Sequence, residues 1–137
     1  MIRNIVFILV CLVALSVQTA AKRPNIVIIM TDDMGYSDIG CFGGEIRTPN
    51  LDKLAEGGLR FTNFYSENMC WVSRAALLTS IYHKTSMVNS TLHPRCVTLP
   101  EVLGAAGYRT MICGKWHLAG KQNTVYPNDR GFSDFYG

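Results

Sequence analysis

The chain has 137 residues, 48% of them hydrophobic and 17% charged, which suits one domain of modest size. Its formal charge is only +3, and Lys and Arg are scattered along it. There is no basic stripe and no nucleic-acid motif spacing, so the composition argues against a nucleic-acid binder.

At the amino end Arg3 precedes an apolar run, Ile5 to Val17, broken only by Ser16. Small Thr19, Ala20 and Ala21 follow, then polar Lys22-Arg23-Pro24. That order of charged, apolar and small residues is the pattern of a secretory signal peptide over residues 1–21. The run of 13 residues is shorter than the roughly 20 needed to span a bilayer, so no stable membrane span is expected. The expected location is secreted, periplasmic or lumenal. Residues 22–137 then form one unit with four cysteines, Cys41, Cys70, Cys96 and Cys113. An oxidising compartment permits disulfides, and the three possible pairings all stay open. No CxxC pair occurs, which disfavours zinc and thioredoxin-like readings.

Asn25-Ile26-Val27-Ile28-Ile29-Met30-Thr31 is an almost continuous apolar run, the pattern of a strand buried on both faces of a parallel sheet. It leads into Asp32-Asp33-Met34-Gly35. Open parallel sheets bind ligands beyond the carboxyl ends of their strands, and two carboxylates there suit a hard cation such as Ca²⁺ or Mg²⁺. An Asx turn that merely ends the strand is the plainer alternative. A glycine-rich loop, Gly35 to Gly44, comes next. Thr48-Pro49 reads as an N-cap with Pro at the first helical position, opening a helix that Gly57-Gly58 closes. Leu59 to Tyr65 is a second strand candidate, rich in aromatics.

Cys70-Trp71-Val72-Ser73-Arg74 opens a helix that continues through Ala75 to Thr79. Arg74 lies one turn beyond Cys70, and the helix start favours anionic ligands. A buried cysteine with an arginine facing water is the ordinary alternative. Ile81 to Val97 lacks a period and is expected to be a surface loop, with His83 and His93 as loop residues rather than ligands. Within it, Asn89-Ser90-Thr91 matches the N-glycosylation triplet. Thr98-Leu99-Pro100-Glu101 is a capping box for a helix that buries Val102, Leu103 and Ala106. Tyr108 to Cys113 is a third strand candidate, ending at Gly114-Lys115-Trp116-His117, where Lys115 and His117 can face one pocket. The tail from Gln122 is expected to be loop. Strands alternating with helices give an α/β class with a mostly parallel sheet flanked by helices.

The residues resemble the type I, formylglycine-dependent sulfatases of the alkaline phosphatase superfamily, from Arg23-Pro24-Asn25 to Gly137. Two signatures carry the resemblance. Cys-x-Pro-Ser-Arg, an apolar stretch and Thr-Gly corresponds to Cys70 through Ser80. Gly-Tyr-x-Thr-x-x-x-Gly-Lys-Trp-His runs unbroken from Gly107 to His117. Asp32-Asp33-Met34-Gly35-Tyr36, Arg47-Thr48-Pro49-Asn50-Leu51-Asp52 and Arg130-Gly131-Phe132 resemble further family segments. Val72 stands where the family has Pro or a small residue, and Ser80 where it has Gly.

The resemblance implies an alkaline phosphatase-like fold, incomplete at the C-terminus, with residues 22–137 as the N-terminal part of a sulfatase catalytic domain. It implies hydrolysis of sulfate esters of small molecules or carbohydrates. Cys70 would be oxidised to formylglycine by a maturation enzyme, and one hydroxyl of the hydrated aldehyde would attack sulfur. Asp32 and Asp33, with an oxygen of the modified Cys70, would bind Ca²⁺. Arg74 would hold the hydrate, Lys115 the sulfate, and His117 would assist proton removal. Family members are longer and add an Asp-Asn pair, a His and a Lys from downstream. The alternatives are a phosphate- or phosphonate-ester hydrolase of the same superfamily and, from a different class, a non-catalytic secreted pseudoenzyme.

Overall fold

A helix start is recognisable in the sequence when a hydroxyl residue precedes proline, and Thr48-Pro49 behaves accordingly. In the computed structural model, which describes residues 22–120 and 125–137, the first helix, α1, runs Pro49–Gly57. The Thr48 hydroxyl accepts the Gly40 amide at 2.9 Å and donates to Asp52 at 2.9 Å. The loop before it winds into 3₁₀ turns at Tyr36–Asp38 and Gly40–Phe42. Gly58 ends α1 in extended backbone, φ −128°, rather than in the left-handed form expected of a helix-closing glycine. The signal-peptide segment, residues 1–21, lies outside the described residues.

The chain divides into two units, Met1–Thr31 and Asp32–Gly137. In the first, the expected buried strand Asn25–Thr31 makes no strand pairing among the described residues, and Val27 and Ile29 are 79% and 74% exposed. A strand of this composition needs a neighbour on each edge to satisfy its amides and a layer on each face. Leu59 to Tyr65 likewise forms no strand, and its aromatic side chains are exposed. Both corrections have one cause: β propensity shows only where partner strands receive it.

The second unit is organised around helix α2, Cys70–Thr79, whose inner face carries buried Val72, Ala75 and Thr79. It ends at Ser80, which adopts φ 56° while its amide bonds to the Ala76 carbonyl at 2.8 Å. That left-handed turn explains why glycine is the natural residue there. The following segment, expected to be loop, is structured. A short helix α3, His83–Ser86, leads into a hairpin of β1, Met87–Val88, and β2, Thr91–Leu92. Asn89 and Ser90 join these strands with φ 50° and 62°, the mirror-image geometry a two-residue hairpin turn requires. The hairpin forms because Leu92 has a core position: it packs with Ala75, Trp116 and Leu118, with Leu78, Met87, Ile112 and Phe132 around them.

The capping box opens α4, Leu99–Ala105, with the Thr98 amide donating to Glu101 at 2.7 Å. Its expected buried face is wrong, since Val102 is 55% exposed and Ala106 is exposed. Instead, α4 is held by its first turn. The Thr98 hydroxyl donates to the Arg130 carbonyl at 2.8 Å, and buried Arg130 pairs with Glu101 at 3.1 Å and donates to the Cys96 carbonyl. Burial raises the Glu101 carboxyl, and the Thr98 amide and Arg130 outweigh it, holding Glu101 below the usual range. The third strand is present as β3, Met111–Cys113. The tail, expected to be loop, supplies its partner: after a 3₁₀ turn at Pro127–Arg130, β4, Asp134–Tyr136, pairs parallel to β3 with Ile112 opposite Phe135.

Replacing Ser80 by glycine relieves a left-handed serine, which costs about 1 kcal/mol, partly offset by glycine's greater chain entropy. Ser80→Gly is expected to raise the stability by roughly 0.5 kcal/mol, and Ser80→Val to lower it, as read from denaturant midpoints at unchanged slope.

Candidate active site

Beyond β3 the chain leaves strand geometry, with Gly114 and His117 at φ 90° and 55°, and burial rather than a strand period separates the residues that face inward from those that face out. After β3 the buried residues are Trp116 and Leu118, and the exposed ones between and before them are Lys115 and His117. Trp116 is fixed on two counts. Its indole N–H donates to the Val125 carbonyl at 2.8 Å, and its ring stands edge-on to Phe132 with centroids 6.2 Å apart. His117 adopts φ 55°, a left-handed conformation unusual for a residue with a Cβ and a place where backbone strain is held.

Helix α2 brings Cys70 to the same place. The Cys70 Sγ lies 3.3 Å from His117 Nδ1 and 3.6 Å from Lys115 Nζ. Lys115 Nζ also donates to Asp32 Oδ2 at 2.8 Å. One turn along α2, Arg74 Nη1 donates to the Lys115 carbonyl at 2.7 Å, locking the helix to the Lys115 backbone. Its Nε is buried and has no hydrogen-bond partner among the described residues. Of the candidates from sequence, Cys70, Arg74, Lys115, His117 and Asp32 therefore meet. Asp33 follows Asp32 at φ 51° with its side chain exposed. His83 and His93 lie apart from this cluster in their contacts: His83 pairs with Glu67, and His93 Nδ1 accepts the Arg95 amide. All four cysteines of residues 22–137 are free thiols.

The route to the site differs from the one expected. Only β3 is a strand among the three segments expected to end there, so Asp32 lies in a loop and the Cys70 helix is entered from one. The residue missed from sequence is Trp116, whose anchoring role is signalled by a large apolar residue placed between two cationic ones.

Charge organises the cluster. The hydrogen bond from Lys115 holds the Asp32 carboxyl below its ordinary value against desolvation, with the charges of Lys115, Arg74 and His117 adding to the attraction. In return, the bond to Asp32 raises Lys115 above its ordinary value, aided by Cys70. The lowered carboxylate contributes above its unfolded pKa, about 3.9, and is lost as pH falls through the folded value. The raised ammonium contributes below its unfolded pKa, about 10.4, and is lost as pH rises through the folded one. The pair is therefore intact across the neutral range.

Asp32 and Asp33 have the hard oxygens that Ca²⁺ or Mg²⁺ prefers, yet Asp32 Oδ2 already serves Lys115. No group of three or more His, Cys, Asp or Glu that could hold a metal ion occurs among the described residues. Since Ca²⁺ takes about six to eight oxygens, these two carboxylates match a cation in chemistry but supply only part of its shell.

A family model described as Sulfatase matches residues 24–137. Human arylsulfatase A is 46% identical over 129 residues, covering 85% of this chain and 25% of its own length. An arylsulfatase of Klebsiella aerogenes is 41% identical over 127 residues, covering 82% of this chain and 27% of its own. Among solved structures, Ps i-CgsB superposes with a TM-score of 0.72 at 37% identity, over 85% of this chain and 29% of that one. Its complex with k-i-k-neocarrahexaose gives a TM-score of 0.65 at 36% identity, over 77% and 26%. The chain thus spans about a quarter of the length of these relatives, and its α/β class is that of the alkaline phosphatase-like fold they share.

Because Asp32 raises Lys115, Asp32→Asn should leave more of that amine unprotonated at mildly alkaline pH. Acetylation of Lys115, followed by mass spectrometry, is expected to quicken relative to the parent protein, and an unchanged rate would contradict the pairing.

Proposed function

The chain belongs to the sulfatase family, and from that premise we propose that it is the N-terminal part of the catalytic domain of a sulfuric ester hydrolase. What supports this reading is one juxtaposition: Lys115 Nζ and His117 Nδ1 stand 3.6 and 3.3 Å from Cys70 Sγ. A sulfur at the first residue of a helix, beside two nitrogen groups from a distant segment, is built for chemistry on an anion.

In this proposal Cys70 is the precursor of formylglycine, formed by a maturation enzyme. The hydrated aldehyde, once formed, supplies a nucleophile able to displace an alcohol from sulfate. The chain's own residues prepare its surroundings. Lys115 presents its ammonium to an oxygen of a sulfate approaching the Cys70 side chain, and Asp32 orients that ammonium through their 2.8 Å hydrogen bond. Arg74 directs a second permanent cation along the same helix and fixes the Lys115 backbone from its other nitrogen. His117 lies where it can take a proton from the Cys70 position or return one. Asp32 and Asp33 would hold Ca²⁺, or Mg²⁺, together with oxygens beyond their own. That ion, when bound, would withdraw charge from the sulfate oxygens.

The proposed substrate is a sulfated carbohydrate or a sulfated small molecule. The carbohydrate alternative is supported by the neocarrahexaose bound by Ps i-CgsB. Export through a cleaved signal peptide over residues 1–21 is part of the same proposal. No helix among the described residues is long and apolar enough to cross a membrane.

The tryptic peptide Phe61 to Arg74 of the native protein carries the decisive mass: loss of the Cys70 thiol and gain of an aldehyde is the expected result. Cys70→Ala should then lower sulfate release by at least about a thousandfold, and His117→Ala by about a hundredfold. An active protein whose Cys70 is wholly an unmodified thiol would overturn the formylglycine mechanism.

A further inference from the structure

From Glu56 to Met69, the segment that delivers the chain to Cys70, every residue is exposed except Glu67. This inverts the usual order, because Leu59, Phe61, Phe64 and Tyr65 are left in water while a carboxylate is drawn in. A partly buried carboxylate needs a partner, and the partner is His83, the first residue of α3, with Nδ1 3.4 Å from Glu67 Oε2. Their side chains are only 19% and 27% exposed. Neither Glu67 Oε1 nor His83 Nδ1 has a hydrogen-bond partner among the described residues, so the 3.4 Å approach of His83 Nδ1 to Glu67 Oε2 is an electrostatic contact, an ion pair when the imidazole carries its second proton.

Two further contacts fasten this pair to the helix bearing Cys70. The Ser73 hydroxyl shares its one proton between the Met69 carbonyl at 2.9 Å and the Glu67 carbonyl at 3.1 Å. The Trp71 ring lies edge-on to the His83 ring, centroids 6.2 Å apart. Glu67 is thus held through its backbone by α2 and through its side chain by α3, three residues before Cys70.

We infer that Glu67 and His83 are positioning residues: their side-chain contact ties the loop before Cys70 to α3 and thereby sets where the Cys70 side chain stands against Lys115 and His117. Neither residue touches the reacting atoms. The consequence for turnover rests on the sulfatase reading above, whereas the consequence for loop order does not.

The test is a double-mutant cycle of Glu67→Gln, His83→Gln and their combination, read by amide hydrogen exchange and by kinetics on an aryl sulfate. Each single variant should speed exchange in the peptide Phe61 to Arg74 by about threefold, and the double variant should add little to either, as coupled partners do. Exchange in Cys96 to Arg109, which reports the Arg130–Glu101 region, should stay unchanged. The turnover number should fall by about threefold at constant KM, since only the placement of the nucleophile is disturbed. Unchanged exchange near Cys70, additive effects in the double variant, equal loosening of Cys96 to Arg109, or a turnover number that survives a loosened loop would each overturn the inference. If the parent protein releases no sulfate, the sulfatase reading fails, and hydrogen exchange alone decides whether the tie exists. If one variant does not fold, the other, with its own exchange and kinetic readouts, still decides whether the pair positions Cys70.

Discussion

Burial of Trp116 and Leu118 against α2 and the β1–β2 hairpin is the constraint on which the site depends. With Trp116 and Leu118 buried, Lys115 and His117 are left exposed, and both reach the Cys70 side chain at the start of α2. The indole bond to Val125 and the edge contact with Phe132 remove rotational freedom from the anchor. The left-handed backbone at His117 is tolerated because the residues on both sides of it are packed. A core of ordinary apolar residues therefore aims two polar ones, and loosening it would disperse the site without touching a charged group.

Electrostatics then holds what packing has aimed. Asp32, Lys115 and the Cys70 sulfur form a chain of contacts, with Arg74 bound to the Lys115 carbonyl beside it. The group is exposed, so each attraction is screened and individually modest. Its value lies in cooperation: Asp32 raises Lys115 and Lys115 lowers Asp32, so each widens the pH range over which the other is charged.

Local signals in the sequence carry furthest where the chemistry is local. Thr48-Pro49 and Thr98-x-x-Glu101 mark helix starts because their hydrogen bonds reach only a few residues. Cys70, Arg74, Lys115, His117 and Asp32 are recognisable from motif spacing, and the structure brings them into a connected set of contacts. Elements that need distant partners are not legible in the same way. Asn25–Thr31 and Leu59–Tyr65 have strand composition without strand pairing among the described residues, while β4 in the tail is a strand because β3 accepts it. The hairpin turn at Asn89-Ser90 is hidden because neither residue is glycine, and Leu92 gives no periodic sign of its core position. Val102 and Ala106 show the opposite error, since α4 is held by its capping residues and Arg130 rather than by an apolar face.

The most direct measurement is a crystal structure of the protein grown with sulfate. An anion is expected at the Cys70 side chain, in hydrogen-bond contact with Lys115 Nζ, with His117 beside residue 70 and Asp32 still paired to the lysine. A sulfate bound elsewhere, with Cys70 touching neither Lys115 nor His117, would contradict the assignment of this cluster as the sulfate site.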